Sequence, residues 1–284
     1  MSDFRLHWKP TRIVLPGSFQ LKGDTLLEKR AYAKEYCDHL RKRLMREPRG
    51  HAEMYGAILV QDTEETAAGC ADIGVLFCHN EGYSTMCGHA TIALGRFLID
   101  AHDLSIFPRR EQLKYDAERE ETLLRLHAPC GVVQVRVPTL GSGQDARSDG
   151  TRRVSFKSVA SFVSAIDVKV DIPESLRWTE LKKAGRSFVT VDVSFGGAYY
   201  AIVSAEELGF ERGIRAYPLS ELSQATAVVK SLLRARKALF EHPSEEDLEY
   251  LYGVIIVEKL AQRKELEAAE DELADGFLPT TTPS

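Results

Sequence analysis

The sequence has few cysteines and no long hydrophobic run. Its five cysteines in 284 residues are an odd number at irregular spacing, which argues against the disulfide framework of a small secreted domain. The N-terminal segment MSDFRLHWKPTRIVLPG is interrupted by basic residues and lacks the apolar stretch of a signal peptide. Apolar runs elsewhere fall far short of the roughly 20 residues that span a bilayer. These absences predict a cytoplasmic protein with reduced thiols.

An excess of positive charge is missing as well. The net charge of -5 gives no electrostatic reason to expect nucleic acid or an anionic membrane as a partner. The one basic stretch, His39 to His51, follows helical spacing, so we interpret it as a solvated helix face rather than an anion-binding patch. A small molecule is the expected partner, and a homodimer stays open as the assembly.

Hydrophobic periodicity predicts helices and strands along the whole chain. Helices are expected at Thr25–Arg46 with Asp24 as the N-cap, at Cys87–Ala101 and at Ser220–Phe240. Buried or strand-rich segments are expected at Met54–Val60, Ile73–Phe77, Leu123–His127, Val132–Val137, Val154–Val170, Phe188–Val203 and Tyr250–Val257. The helix at Cys87–Ala101 is apolar around most of its circumference, which predicts that it is buried.

The predicted domains are a first half at 1–145, a truncated second half at 146–257, and a divergent charged helix and tail at 258–284. The stretch Thr139–Arg152 is rich in glycine and serine without periodicity, so it is expected to be the linker. The segment from Glu258 favours a solvated helix, because its leucines are too sparse for a sustained heptad seam.

The segment GYSTMCGHA, Gly82–Ala90, places a thiol where a turn meets the N-terminus of the buried helix. Backbone N–H groups and the positive end of the helix dipole favour a thiolate there, so we expect a lowered pKa of the Cys87 thiol and its use as a base. The N–H groups of Gly88 and His89 can hold a carboxylate, which stabilises the charge that builds as a Cα proton leaves. The alternative is that Cys87 is a small buried residue that packs the helix.

A metal site is a second interpretation of the same region. Five candidate ligands lie close together in the sequence: Cys70, Cys78, His79, Cys87 and His89. Structural zinc sites usually have paired ligands about two to four residues apart, whereas about seven to eight residues separate the successive cysteines here. The adjacent Cys78 and His79 lie on a predicted strand and therefore point to opposite faces. The spacing argues against zinc, and no metal is predicted.

The run MCGHATIALGRFLID, Met86–Asp100, resembles the first catalytic motif of the proline racemase family, which includes hydroxyproline epimerases and trans-3-hydroxy-L-proline dehydratases. Four further segments resemble the family in the expected order: EPRGHAEMYGAILV (Glu47–Val60), ADIGVLFCHNEGYST (Ala71–Thr85), VDVSFGGAYYAIV (Val191–Val203) and EYLYGVIIV (Glu249–Val257). The similarity covers most of the chain up to Val257. The Leu94-Gly95-Arg96-Phe97 continuation is more similar to the dehydratases than to the racemases or epimerases.

The resemblance implies an α/β (α+β) fold of the epimerase type, with two similar halves that each wrap strands round a central helix; the second half is expected to be incomplete. It implies that Cys87 accepts a proton, and that Gly88 and His89 bind the carboxylate of a cyclic amino acid. It implies no metal and no organic cofactor. The expected activity is dehydration of trans-3-hydroxy-L-proline to pyrroline-2-carboxylate, a hydro-lyase reaction of amino-acid metabolism.

Two segments depart from the family pattern. The second motif, Asp-Arg-Ser-Pro followed by Cys or Thr and Gly, is absent after Tyr250–Val257, and His7-Trp8-Lys9 replaces the family's His-Thr-Gly-Gly-Glu. Racemases and epimerases need a second thiol in that motif, because inversion removes a proton from one face and returns one to the other. No cysteine follows Cys130, which disfavours these two alternatives.

These departures from the family pattern also affect the expected catalytic activity and stability of the chain. They predict an alternative or mispredicted transcript with weak or absent turnover and poor stability. The third hypothesis, beside the dehydratase and the racemase or epimerase, is therefore a truncated protein that binds an imino acid, or nothing, and persists as an inactive binding or interaction protein.

Overall fold

The computed structural model describes residues 2–6 and 9–258, with side chains from residue 10 onward. This part of the chain forms two compact units. The first contains the described residues up to Phe162, together with Phe195–Ala198 and His242–Glu249. The second contains Val163–Ser194, Tyr199–Glu241 and the described residues from Tyr250. Within these described ranges, no helix combines the length and the apolar character needed to cross a bilayer.

The first unit is built on a ten-stranded sheet. Its helices are α1 (Leu26–Tyr36), α2 (Asp38–Met45), α3 (Glu64–Ala67) and α4 (Gly88–Asp100). Its strands are β1 (Ser2–Leu6), β2 (Lys9–Val14), β3 (Tyr55–Val60), β4 (Ile73–His79), β5 (Tyr83–Ser84), β6 (Lys114–Asp116), β7 (Glu121–Ala128), β8 (Gly131–Leu140), β9 (Arg147–Ser148) and β10 (Ser155–Lys157). The strand order is β1-β2-β3-β4-β7-β8-β10, and β5, β6 and β9 pair with β4, β7 and β8.

Alternate residues of β3 face two different helical layers. Ala57 and Leu59 belong to the core cluster around α4, whereas Ile58 and Val60 belong to the cluster formed with α1 and α2. Successive side chains of a strand point to opposite faces, so this part of the sheet is covered on both sides. That burial explains why β3 and β4 are continuous apolar runs in the sequence.

The single long helix predicted at Thr25–Arg46 is wrong, because the chain breaks at Cys37 into α1 and α2. In the second helix the buried Arg41 donates from Nη1 to the carbonyls of His79 and Asn80, at 2.7 and 2.8 Å. The break directs this guanidinium to the end of β4, where it satisfies two carbonyl oxygens.

The N-cap of α1 is also not the predicted Asp24. Thr25 occupies that position, its side chain accepts from the N–H of Glu28, and the Glu28 carboxylate accepts from the N–H of Thr25. This reciprocal pair is a capping box, which satisfies two amides that a helix start leaves without internal partners.

The stretch predicted as a linker is instead part of the first unit. It contains the end of β8 and the short strand β9, which pair with each other. The Asp100 carboxylate accepts from the N–H and the hydroxyl of Ser148, both at 2.7 Å. These hydrogen bonds fasten a glycine-rich segment that has no apolar pattern of its own. The predicted domain boundary at residue 145 stays a prediction, and the predicted helix and tail lie, from residue 259, outside the described residues.

The second unit has a four-stranded sheet in the order β11-β12-β13-β14. Its strands are β11 (Phe162–Asp171), β12 (Phe188–Phe195), β13 (Tyr199–Ser204) and β14 (Leu251–Val257), and its helices are α5 (Thr179–Lys183) and α6 (Leu219–Leu233). The helix predicted at Ser220–Phe240 thus ends at Leu233, and Lys237–Phe240 forms a separate 3-10 turn.

The strand predicted from Tyr250 is present as β14, but the prediction that it is buried is wrong. β14 lies at the edge of the sheet, and Ile255 and Val257 are 41% and 40% exposed. β14 pairs in parallel with β13, and α6 connects them and packs on β14. In the first unit β2 and β3 also pair in parallel, with α1 and α2 between them. The strand–helix–strand arrangement therefore occurs in both units.

Candidate active site

Cys87 is the N-cap residue of α4. Its backbone is extended, with φ −149° and ψ 105°, and its carbonyl accepts the N–H of Thr91 at 2.9 Å. The helix therefore begins at Gly88, one residue after the predicted start. The first amides of an α-helix have no acceptor within the helix. The N–H groups of Gly88 and His89, which follow the thiol, therefore lie at the position expected for an anion site.

The thiol lies next to the imidazole of the second helical residue. Cys87 Sγ is 3.4 Å from Nδ1 of His89 and 3.8 Å from Nε2. The Cys87 residue is 6% exposed, and His89 is half-buried. Because the sulfur is within 4 Å of both ring nitrogens, it lies against the imidazole and off the axis of either N–H bond. The structure thus brings the two predicted residues into direct contact.

Gly88 lies under an aromatic ring. A Cβ at this position would approach Cζ of Phe156 to 3.3 Å, which is closer than side chains usually pack. The residue is half-buried, so the absence of a side chain keeps space between the ring and the start of the helix. The role of Gly88 and His89 as carboxylate binders stays a prediction.

The turn between β12 and β13 supports the segment before Cys87. Gly197 has a φ of +103°, and a Cβ there would lie 3.2 Å from Met86 and 3.4 Å from Cys130 Sγ. The buried Thr85 hydroxyl donates to the Gly197 carbonyl at 2.6 Å. Gly196-Gly197 interrupts the strand-rich segment Phe188–Val203 in the sequence, which predicts a turn or a close approach of the backbone, and this prediction is confirmed.

One aromatic ring that the sequence reasoning missed lies beside the site. The ring of Tyr55 packs edge-on against His89, with centroids 4.6 Å apart and an interplanar angle of 85°. It also contacts the His79 ring at 5.6 Å. The signal that could have identified Tyr55 is the strand period, because Tyr55, Ala57 and Leu59 share the face of β3 that covers α4.

The other cysteines have different environments. Burial raises the pKa of Cys78 and of Cys130 to about 12, which keeps both thiols protonated at neutral pH. Cys37 is buried and Cys70 is exposed. Cys78 joins the cluster with α1 and α2, so it faces away from His79 as predicted. Among the described residues, no group of three His, Cys, Asp or Glu side chains could hold a metal ion.

Two cavities lie elsewhere in the first unit. The larger, about 480 Å³, is lined by Arg46, Glu47, His51, Ala52, Asn80 and Glu81. The smaller, about 30 Å³, lies near the buried Arg110. Neither is lined by Cys87, Gly88 or His89, so neither contains the predicted site.

Comparison with known sequences gives consistent matches. A profile of the family described as Proline racemase matches residues 3–273. Trans-3-hydroxy-L-proline dehydratase of Homo sapiens is 41% identical over 256 residues, covering 90% of this chain and 63% of that protein. The protein of the same name from Bacillus thuringiensis is 36% identical over 253 residues, covering 89% of this chain and 65% of that protein. The chain therefore spans less than two thirds of the length of these relatives.

Two solved structures share the fold. A probable proline racemase from Agrobacterium radiobacter K84, with bound carbonate, has a TM-score of 0.65 at 20% identity and covers 87% of this chain and 63% of its own. A hydroxyproline epimerase from Agrobacterium vitis, with bound trans-4-OH-L-proline, has a TM-score of 0.63 at 18% identity and covers 87% and 62%. These similarities confirm the predicted mixed α/β fold of the epimerase type.

Proposed function

Because this chain belongs to the proline racemase family, we propose that it is a hydro-lyase that dehydrates trans-3-hydroxy-L-proline. The observation that supports the proposal most directly is the position of Cys87 at the start of a buried helix, with its sulfur 3.4 Å from the His89 imidazole. Relatives named as dehydratases at 41% and 36% identity favour this reaction over inversion.

In the proposed reaction the Cys87 thiolate takes the Cα proton of the substrate. The C–H electron pair forms a Cα–Cβ double bond, and the bond from Cβ to the hydroxyl oxygen breaks. The leaving hydroxide and the proton held by sulfur together account for one water, so the thiolate is regenerated. The enamine product then tautomerises to pyrroline-2-carboxylate. One base is sufficient, because no proton has to return to the opposite face of Cα.

The start of α4 would hold the substrate carboxylate. The Gly88 and His89 amides lie directly after the sulfur in the chain, so a carboxylate bound to them brings Cα close to the base. The same hydrogen bonds stabilise the negative charge that spreads into the carboxylate as the proton leaves. No metal and no organic cofactor takes part in this scheme.

The reaction type can be decided by NMR in deuterated water. We expect trans-3-hydroxy-L-proline to yield pyrroline-2-carboxylate. Trans-4-hydroxy-L-proline is a matched control, because it has no hydroxyl on Cβ to lose and should give no pyrroline. Substrate recovered with inverted configuration and a deuterium on Cα would instead indicate a racemase or epimerase. If the folded protein neither exchanges nor dehydrates either compound, the inactive binding protein replaces the proposal.

The proposed location is the cytoplasm, because a reducing compartment keeps cysteines from forming disulfides. All five cysteines lie in the described part of the chain, and no two of them form a disulfide there. The proposed partner is a small cyclic amino acid, and a homodimer is the assembly that sedimentation would test.

A further inference from the structure

We propose that Phe156 is a specificity-determining residue of the site formed by Cys87, Gly88 and His89. Its ring forms an apolar wall beside the first amide of α4 and selects ligands in which a carboxylate is joined to a compact hydrocarbon ring. This role rests on the proposed function, because it concerns the class of substrate that the same site accepts. It belongs to a residue far from Cys87 in the sequence.

The sheet directs the Phe156 side chain toward α4. Phe156 is the middle residue of β10 and pairs with Val135 of β8 in antiparallel register. Residues that pair directly in antiparallel strands have their side chains on the same face of the sheet, and Val135 lies in the core cluster around α4. The neighbouring Ser155 and Lys157 are exposed, as expected for side chains on the opposite face. The aromatic ring is therefore on the side of the sheet that covers the helix.

The segment that carries Phe156 runs along α4 toward its first turn. A Cβ added at Gly95, in the middle of the helix, would lie 3.4 Å from Cγ1 of Val154. A Cβ added at Gly88 would lie 3.3 Å from Cζ of Phe156 and 3.8 Å from Cε1. Apart from chain neighbours and the helix backbone, no other described residue lies within 4 Å of that second position. The outer edge of the Phe156 ring thus bounds this side of the residue that follows Cys87.

The ring lies on the side of Gly88 where an anion would bind. In an α-helix each Cα–Cβ bond tilts toward the N-terminus of the helix, and the backbone N–H groups point the same way. An atom close to the Cβ position of Gly88 is therefore also beside its amide, one of the two proposed carboxylate binders. When a carboxylate accepts from this amide, the carbon atoms attached to it extend into the space next to the Phe156 ring.

The chemistry of the wall decides which carbon skeletons fit. Phe156 is half-buried and packs against the apolar cluster that includes Cys87. A phenyl ring offers a ligand dispersion contacts and no hydrogen-bond partner for a charged group in its plane of contact. The methylene groups of a five-membered ring gain these contacts, whereas a polar chain would lose water there without a replacement. An acyclic amino acid with a short side chain fills less of the space, so the wall favours compact cyclic amino acids.

The test is the dissociation constant of two amino acids, measured on the full chain by isothermal titration calorimetry. L-proline has the ring and no Cβ hydroxyl to lose, and L-alanine has a carboxylate and a cationic amine without the ring. We expect the parent protein to bind L-proline about tenfold more tightly than L-alanine. In Phe156→Ala the affinity for L-proline should fall about tenfold, while the affinity for L-alanine changes by less than about twofold.

Two further variants separate this selection from a general loss of structure. Lys157→Ala changes the next residue of β10, which is exposed, and should bind both amino acids as the parent protein does. Phe156→Leu keeps an apolar side chain in the core and removes the ring, so it should retain the fold and lose part of the preference for L-proline. Damage to the site as a whole would weaken the binding of both amino acids alike and leave the ratio of their affinities unchanged.

The proposed role is overturned if folded Phe156→Ala keeps the parent ratio of the two affinities, or if the parent protein binds L-alanine as tightly as L-proline or binds neither. Should Phe156→Ala fail to fold, an unchanged ratio in folded Phe156→Leu overturns it equally. Failure of the proposed function gives a different result. If trans-3-hydroxy-L-proline is not dehydrated but the preference for L-proline still depends on Phe156, the reaction is wrong and the selectivity stands.

Discussion

The two units share a strand–helix–strand arrangement but differ in what covers their sheets. In the first unit β3 and β4 are buried between α4 on one face and α1 with α2 on the other. In the second unit the edge strand β14 has α6 packed on it and keeps exposed apolar side chains. The crossover helices are common to both units, so they do not create the site. The additional helix α4, with the thiol at its start, distinguishes the first unit.

The largest expected effect comes from the contact between α4 and the sheet. Leu94 on α4 is fully buried in that core. We expect Leu94→Ala to lower the free energy of unfolding by about 2 to 5 kcal/mol, because it leaves a cavity between the helix and the strands. Urea unfolding followed by circular dichroism measures this loss. A loss below about 1 kcal/mol would show that α4 is loosely packed and that the contrast between the units is weaker than described.

A second, smaller effect is expected at the turn that supports the thiol segment. Gly197→Ala forces a Cβ into a backbone with φ +103° and to 3.2 Å from Met86, at a cost of about 1 to 3 kcal/mol. A Cβ added at the neighbouring Gly196 would meet open space. Apart from its chain neighbours, no described residue has an atom within 4 Å of that position. Gly196→Ala is therefore the matched control. Equal unfolding free energies for the two variants would contradict a specific role of Gly197.

The third prediction concerns pH and the buried His127 on β7. Burial lowers the pKa of His127, although Glu64 and Glu65 oppose the shift. Below about pH 6.5 the unfolded chain binds a proton that the folded protein resists. The contribution of this group to stability is therefore present above that pH and is lost as the pH falls through the folded pKa.

We therefore expect the unfolding free energy to be lower at pH 5 than at pH 8, as measured by urea unfolding at the two pH values. Replacing His127 by Gln should flatten that part of the profile. An unchanged slope in His127→Gln would mean that other groups cause the pH dependence of the first unit.

The smallest effect is expected at the open edge of the second unit. Ile255 on β14 is 41% exposed, so Ile255→Ala should cost about 0.5 kcal/mol or less. The comparison with Leu94→Ala is direct, since both changes truncate an apolar side chain to alanine. A cost at Ile255 similar to that at Leu94 would indicate that β14 is covered in solution.

The features of the two units that depend on local sequence signals could be predicted from the sequence. The apolar circumference of the segment after Cys87 correctly predicted a buried helix, and the glycines at 196 and 197 predicted the turn. The thiol could be placed because a helix start is defined by its own residues. The resemblance of Met86–Asp100 to a known motif then supplied an expected chemistry for that position.

Features that depend on tertiary contacts were not accessible in this way. The helix break at Cys37 accompanies the bonds that Arg41 makes to the end of β4, and no local pattern encodes these contacts between distant residues. The contact of Tyr55 with His89 arises from strand register. The exposure of β14 was missed because an apolar run does not distinguish a central strand from an edge strand.

The most direct test of the central claim, that Cys87 removes the Cα proton, is the rate at which trans-3-hydroxy-L-proline loses that proton in deuterated water. The folded parent protein and Cys70→Ser should react alike, whereas Cys87→Ser should be slower by about 10² to 10⁴. Proton loss that continues in Cys87→Ser at the parent rate would contradict the assignment.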